Sequence, residues 1–238
     1  MQQLNLVTYP ERSANLRLQS TFKNYLRRFR LENVWQYVLD NNSGAINTYH
    51  NNHHMMTVAV RGVELLHMEV SADKYEFPNQ EEILFVAGML HDMNHSGGAE
   101  DDDVNIERAL AALDNIAGSL DSQFYEGFAH HVERVIQVTQ FPFILEPEHL
   151  DEQIIRDVDM LYSLEVDGVR IIMEGLRSEM VHKFGHLPDR KTWLDMRFKF
   201  IESVDLFTDS AKLIWADGIE RSNKAMSAYV ELMHNAME

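Results

Sequence analysis

His91-Asp92 closes an apolar run that ends in Met89-Leu90, and Asn94, His95 and the glycine pair Gly97-Gly98 follow it. An adjacent imidazole and carboxylate at the end of a buried helix are costly unless something occupies them. A metal ion is the commonest occupant, because its charge lets a carboxylate sit inside a core. Three further apolar segments carry acid or imidazole groups: His50/His53/His54, His130/His131 and Asp157/Asp159. A lone helical histidine is usually structural, but buried carboxylates and imidazoles on several helices need a shared partner. Mixed His/Asp ligands without sulfur suit Zn²⁺, Mn²⁺, Fe²⁺ or Mg²⁺, and a two-ion cluster where one carboxylate bridges.

The elements that must position these groups read as helices throughout. Residues 11–42 carry apolar positions at helical spacing and stop at Asn41-Asn42-Ser43-Gly44. A second helix begins at Tyr49-His50-Asn51-Asn52-His53-His54, its first turn crowded with histidine. Asn79 is the expected N-cap of the next, with Glu81 and Glu82 favoured by the helix dipole, and His91 extends its buried stripe of Ile83, Val86, Ala87 and Leu90. If that helix persists, His95 shares a face with His91, and Gly97-Gly98 end it. Helices are then expected over 104–117, 121–140, the Ile154–Leu161 stretch, 168–184, 190–204 and 207–236. No strand series, internal repeat or low-complexity tract interrupts them. The reading is all-α, a single domain over 1–238.

Composition narrows the function. At 238 residues, 45% hydrophobic and 25% charged, the chain can bury a sizeable core, and its 5 prolines and 11 glycines favour long helices. With no cysteine, disulfides and thiolate zinc sites are excluded. A net charge of −17 opposes a nucleic-acid backbone, so no duplex nucleic acid is expected as partner. The early basic residues Arg12, Arg17, Lys23, Arg27, Arg28 and Arg30 read as a solvated helix face. Neither a secretory signal nor a run of ~20 apolar residues is visible, so a cytoplasmic, membrane-free protein is the expectation.

A histidine, a His-Asp doublet about 40 residues on, and a distant aspartate in an apolar helix resemble the HD-domain metal-dependent phosphohydrolase superfamily. Within it, Tyr49-His50-Asn51-Asn52-His53-His54 is similar to the Tyr-His-Asn-x-x-His motif of the cyclic-nucleotide phosphodiesterase branch. His91-Asp92-Met93-Asn94-His95-Ser96-Gly97 likewise resembles that branch's His-Asp-x-Asp-His-Pro-Gly, with Asn94 and Ser96 as departures. Small bacterial HD phosphohydrolases share these elements, together with segments similar to Asn105-Ile106-Glu107-Arg108 and Arg221-Ser222-Asn223. The resemblance covers about residues 45–165. It implies an HD-type helical bundle with a metal site between its central helices, the C-terminal helices 168–236 lying outside that core.

The resemblance further implies that His54, His91, Asp92 and Asp159 ligate one of two divalent ions (Zn, Mn, Mg or Fe) and that Asp92 bridges to the second. A hydroxide bridging the two would be the nucleophile, His50 the general acid, and His95 a neighbour of that water or of the phosphate. The implied activity is a phosphodiesterase acting on a nucleotide phosphoester, a 3′,5′-cyclic nucleotide among the candidates. No glutamine follows position 153, so the purine-orienting glutamine of that branch has no counterpart there. Of His53 and His54 one can face the cavity, and motif spacing favours His54. His131, on the apolar face between Phe128 and Val135, would support a ligand from behind, bind a second ion, or belong to the core. Asp157 is expected to pair with Arg156 or solvent. Glu107 would hold water on the second ion or simply be solvated. Two other classes compete. A di-iron oxygenase would need further histidines, with His131 the one candidate beyond His95. A non-catalytic nucleotide-binding module would keep the metal but lose turnover. The stripe Trp215, Ile219, Tyr229, Met233 would serve either core packing or a homodimer.

Overall fold

Regular helical spacing of apolar residues carries through to the computed structural model, which describes residues 9–71, 74–164 and 169–235. Every regular element among the described residues is helical. In chain order these are α1 (Tyr9–Phe29), α2 (Glu32–Asn41), a 3₁₀ turn (Ser43–Ile46), α3 (Asn52–Glu69), α4 (Gln80–Leu90), α5 (Asp102–Asp114), α6 (Ala117–Gln123), α7 (Phe128–Gln137) and α8 (Leu150–Tyr162). A π-helical turn (Ile171–Leu176), α9 (Arg177–Glu179), α10 (Val181–Phe184), α11 (Arg190–Glu202) and α12 (Asp209–Asn235) complete the chain. The expected helix limits at 168 and 236 lie outside the described residues. No helix among the described residues is long and apolar enough to cross a membrane.

Two helices form the centre. In α4 every residue from Gln80 to Leu90 except Glu82 is buried, and α3 is buried almost continuously from His54 to Leu66. They pack on each other, with α8 and α1 against α3, and α7 and α8 against α4. Their closeness depends on Gly88, where an added Cβ would lie 2.5 Å from both the backbone N and the Cα of Ala59. Neither atom can move without moving α3. Gly88→Ala is therefore expected to lower stability by about 1–3 kcal/mol, as overpacking does, read as a drop in denaturation midpoint; an unchanged midpoint would show that α3 and α4 can part freely.

Several boundaries differ from the sequence expectation, each for a local reason. The single helix expected over 11–42 is two helices, broken where Arg30 takes a left-handed backbone (φ 60). The single helix expected over 121–140 is instead the end of α6 followed by α7, separated where Gly127 takes a left-handed backbone (φ 91). Asn79 does precede α4, but with a left-handed backbone (φ 59) and no capping bond from its side chain. The helix also stops sooner than its apolar stripe suggests. It ends at Leu90, and Asn94 (φ 64) turns the chain, a conformation that asparagine tolerates better than most residues.

A large core built on α3 and α4 is accompanied by a smaller one made of Tyr49, Tyr162, Ile172, Met173, Trp193, Leu194 and Met226. The π-turn packs so closely on the loop before α3 that a Cβ on Gly175 would lie 2.7 Å from the Thr48 carbonyl oxygen. The seam between the two cores is where the polar residues gather.

Candidate metal centre

His54 enters the seam from the first turn of α3. Asn51 caps that helix: its side-chain oxygen accepts from the amides of His53 (2.9 Å) and His54 (3.3 Å). The asparagine of the Tyr-His-Asn run thus fixes where α3 begins and which way His54 faces. Tyr49 and Tyr162 then hold the ring, their centroids 5.3 and 4.6 Å from it. His91 caps the C-terminus of α4, and its Nδ1 donates to the Gly88 carbonyl (3.0 Å), which leaves the Nε2 lone pair facing the seam. Asp92 follows in the turn, and Asp159 comes from the last turn of α8.

The ligand atoms converge. His54 Nε2 lies 3.1 Å from Asp159 Oδ1, 3.2 Å from Asp92 Oδ2 and 3.2 Å from His91 Nε2. His91 Nε2 lies 3.3 Å from Asp92 Oδ2 and 4.0 Å from Asp159 Oδ1. One imidazole proton cannot serve three acceptors at once. A cation bonded at about 2.1 Å to N and O ligands, however, sets neighbouring ligands about 3.0–3.4 Å apart and opposite ones about 4.2 Å apart. The Asp92 Oδ2 atom is also buried without a hydrogen bond. The set fits a divalent ion, with His54, His91 and Asp159 grouped tightly and Asp92 beside them. Of the two neighbouring histidines, His54 is the one that faces this set.

Without a metal, the charge must be balanced by a proton. Burial alone would lower the pKa of His54, but the Asp159 and Asp92 carboxylates outweigh it and push it up to about 10. Burial would raise Asp92, yet His91, His50 and His54 hold it well below 3.8. In chelated protein, the stability from His54 is therefore fully present below its ordinary 6.5 and lost as pH rises toward about 10. That from Asp92 is present above 3.8 and lost as pH falls through its lower folded value. Thermal melts with chelator should accordingly show Tm falling from pH 6.5 toward 10, and Asp159→Asn should flatten the fall. A flat wild-type profile would contradict the pairing.

A second group, His50, His95 and Glu179, adjoins the first. The His50 and His54 rings are 6.0 Å apart, although His50 precedes α3 rather than standing one turn down it. His50 Nδ1 bonds to Glu179 Oε2 at 2.5 Å, and the other Glu179 oxygen accepts from the Tyr49 amide (2.5 Å). Burial would raise the Glu179 carboxyl, but the bond from His50, the charge of His50 and the Tyr49 amide hold it below the usual range. His95 stacks on His50 (3.8 Å between centroids, 23° between planes). Its Nδ1 accepts from the Gly97 amide and its Nε2 lies 3.0 Å from the Asn105 side chain, so both nitrogens are engaged by the following loop. The group joins an imidazole to a buried carboxylate, and its three residues could also hold an ion.

The remaining expectations divide. Asp157 meets neither Arg156 nor solvent: it is fully buried and accepts from the amides of Phe207 and Thr208 and from the Thr208 hydroxyl. Arg156 donates instead to the carbonyls of Val138 and Leu145. Glu107 is exposed, the solvated alternative, and Asn105 is the buried residue of that segment, holding Ser96 and His95. His131 pairs with Asp151, at the opposite end of α8 from Asp159. Asn94 is structural, accepting from the amide and hydroxyl of Ser43. Arg221 is exposed and pairs with Asp217, while Ser222 and Asn223 accept from the buried Arg197. Trp215, Ile219, Tyr229 and Met233 are half-buried.

Glu179 is the residue that sequence reasoning missed. It lies on a buried stripe at helical spacing with Ile172 and Gly175, a signal present in the chain but hidden among short helical turns. The packing around it is tight, since a Cβ on Gly98 would lie 2.5 Å from the Glu179 carbonyl oxygen. Compared with known proteins, the chain matches no family model, no curated protein and no solved structure.

Proposed function

We propose that this chain is a metal-dependent phosphoric ester hydrolase of phosphodiesterase type, built as an HD-like helical bundle and acting on a nucleotide phosphoester. The observation that carries the reading is a four-residue nitrogen and oxygen ligand set lying directly beside a carboxylate-backed imidazole, His50 on Glu179. Divalent ions held by His54, His91, Asp92 and Asp159, with Asp92 the shared ligand, would supply activation of water and neutralise the phosphoryl oxygens. That cationic charge is what lets a chain of net charge −17 accept a phosphate ester.

The chain's own residues do the rest. His50, one-fifth exposed, donates a proton to the leaving oxygen. Glu179 accepts from Nδ1 and stabilises the ring protonated at both nitrogens, the form whose Nε2–H is donated. His95 holds the His50 ring flat from one face, and Asn105 with Gly97 holds His95. The supply of a donated proton favours P–O cleavage, whose alkoxide leaving group needs one. His131, which a di-iron centre would require, is committed to Asp151.

The test is reconstitution of chelated protein with Mn²⁺, Zn²⁺, Mg²⁺ or Fe²⁺ in turn, followed by a panel of cyclic and linear nucleotide phosphodiesters and monoesters. Turnover that requires the metal and disappears in Asp159→Asn is expected. Full metal occupancy with no turnover on any member would overturn the reading in favour of a binding module.

A further inference from the structure

We infer that the loop between α7 and α8 presents an aromatic wall to the leaving group of the phosphoester, and that this leaving group is planar and uncharged. The starting observation is an exposed apolar patch on that loop: Phe141 is 45% exposed, Phe143 37% and Ile144 68%. Contiguous exposed apolar side chains of this size mark contact sites. Phe200 of α11 extends the patch, its ring centroid 6.0 Å from that of Phe141. The assignment to a leaving group rests on the reading of His50 as the proton donor.

Two side chains fix this loop beside the metal centre. Arg156, which is buried, donates to the carbonyls of Val138 and Leu145, on either side of the patch. Its guanidinium lies 4.1 Å from the Phe143 ring centroid. Arg156 is also three residues before Asp159 on α8, so the two are neighbours on the helix surface. From the other side, Asp102 Oδ2 accepts from the Phe141 amide at 2.6 Å. Asp102 Oδ1 accepts from Asn105 (3.3 Å) and lies 3.8 Å from His95 Nε2, and His95 stacks on His50. One carboxylate therefore joins the wall to the group that contains the proton donor.

That position decides which end of a substrate meets the wall. A general acid gives its proton to the departing oxygen, so the departing group lies on the His50 side of the phosphorus. Phe141 meets Phe143 at 89° and Phe200 at 73°, so neither ring lies flat upon it. A planar group can stack there, and stacking on an aromatic side chain tolerates any base. Charge sets the second requirement. The loop 97–103 carries Glu100, Asp101, Asp102 and Asp103, the loop 139–148 carries Glu146 and Glu148, and neither contains lysine or arginine. A further phosphate on the departing group would meet carboxylates there, which repel it. The fit is to a nucleoside or another neutral aromatic alcohol, not to the continuing strand of an oligonucleotide.

The test uses the metal-loaded full chain, first in equilibrium dialysis with adenosine and ribose, then in turnover of dinucleotides. Wild type should bind adenosine at least tenfold more tightly than ribose. Phe141→Leu, at an exposed position, should lose that preference while keeping the wild-type metal content and Tm. Adenylyl-(3′→5′)-adenosine should be hydrolysed, and Phe141→Leu should raise its KM about tenfold. Adding a terminal phosphate to the nucleoside that departs should lower kcat/KM at least tenfold, whereas adding it to the other nucleoside should not. Adenosine bound no better than ribose, or a preference that survives Phe141→Leu, overturns the wall. Equal hydrolysis of the two phosphorylated forms overturns the uncharged leaving group. Adenosine binding that depends on Phe141, with no turnover of any dinucleotide, leaves the wall standing and overturns the hydrolase reading together with the leaving-group assignment.

Discussion

Asp159→Asn protein is expected to retain its fold, to carry less than a tenth of the wild-type metal after purification, and to lose phosphodiester turnover by about 10³-fold or more. The argument begins from the ligand atoms. Asp159 Oδ1 is 3.1 Å from His54 Nε2, so it completes the set from α8, whereas His54, His91 and Asp92 come from α3 and the end of α4. Removing its charge leaves two imidazoles and one carboxylate, a set that still packs but holds a divalent ion poorly. His54→Ala should abolish binding too, at a different cost. Without a metal, the His54 proton is the cation between Asp92 and Asp159, and deleting it strands two largely buried carboxylates for about 3–5 kcal/mol. The two variants therefore separate. Both lose metal by elemental analysis, but only His54→Ala should show a large fall in Tm in chelator. Equal metal content in wild type and Asp159→Asn would remove Asp159 from the site.

That acid and imidazole groups from several apolar segments would meet was legible in the sequence, and His54, His91, Asp92 and Asp159 do meet. The choice of those four came from the family resemblance, since the apolar pattern marks their segments but does not say which groups converge. The backbone around them was less legible. His91 continues the stripe of α4, so nothing in periodicity reveals that the helix ends at Leu90; the stop is set by Asn94 turning left-handed and binding Ser43, 51 residues earlier. His95 reaches the site through that turn and through Asn105, not through helical spacing from His91. The same limit misplaced His131. Its stripe on α7 was read correctly as facing inward, but the partner that awaits it is Asp151, and pattern alone does not say which inward group a residue meets. Long-range pairing is likewise why the partner of His50 was invisible.

Glu179 stands 129 residues from His50, and its substitution should have an effect that depends on the leaving group. A general acid contributes about 10²–10⁴-fold when the departing oxygen is basic and much less when it leaves readily as an anion. His50→Ala should therefore cut kcat on a nucleotide phosphodiester by about 10²-fold or more, yet cost far less on bis-p-nitrophenyl phosphate. Glu179→Gln should follow the same selectivity with a smaller loss. Its amide can still occupy the space but no longer stabilises the charged ring, and the amides of Tyr49 and His50 lose a carboxylate acceptor. Metal content should stay at the wild-type level in both, because neither residue belongs to the four-ligand set. That combination is diagnostic. A purely structural Glu179 would lower activity on every substrate alike, and a second-ion ligand would lower metal content. Loss confined to the basic leaving group, with metal retained, is what a proton donor held by a buried carboxylate requires.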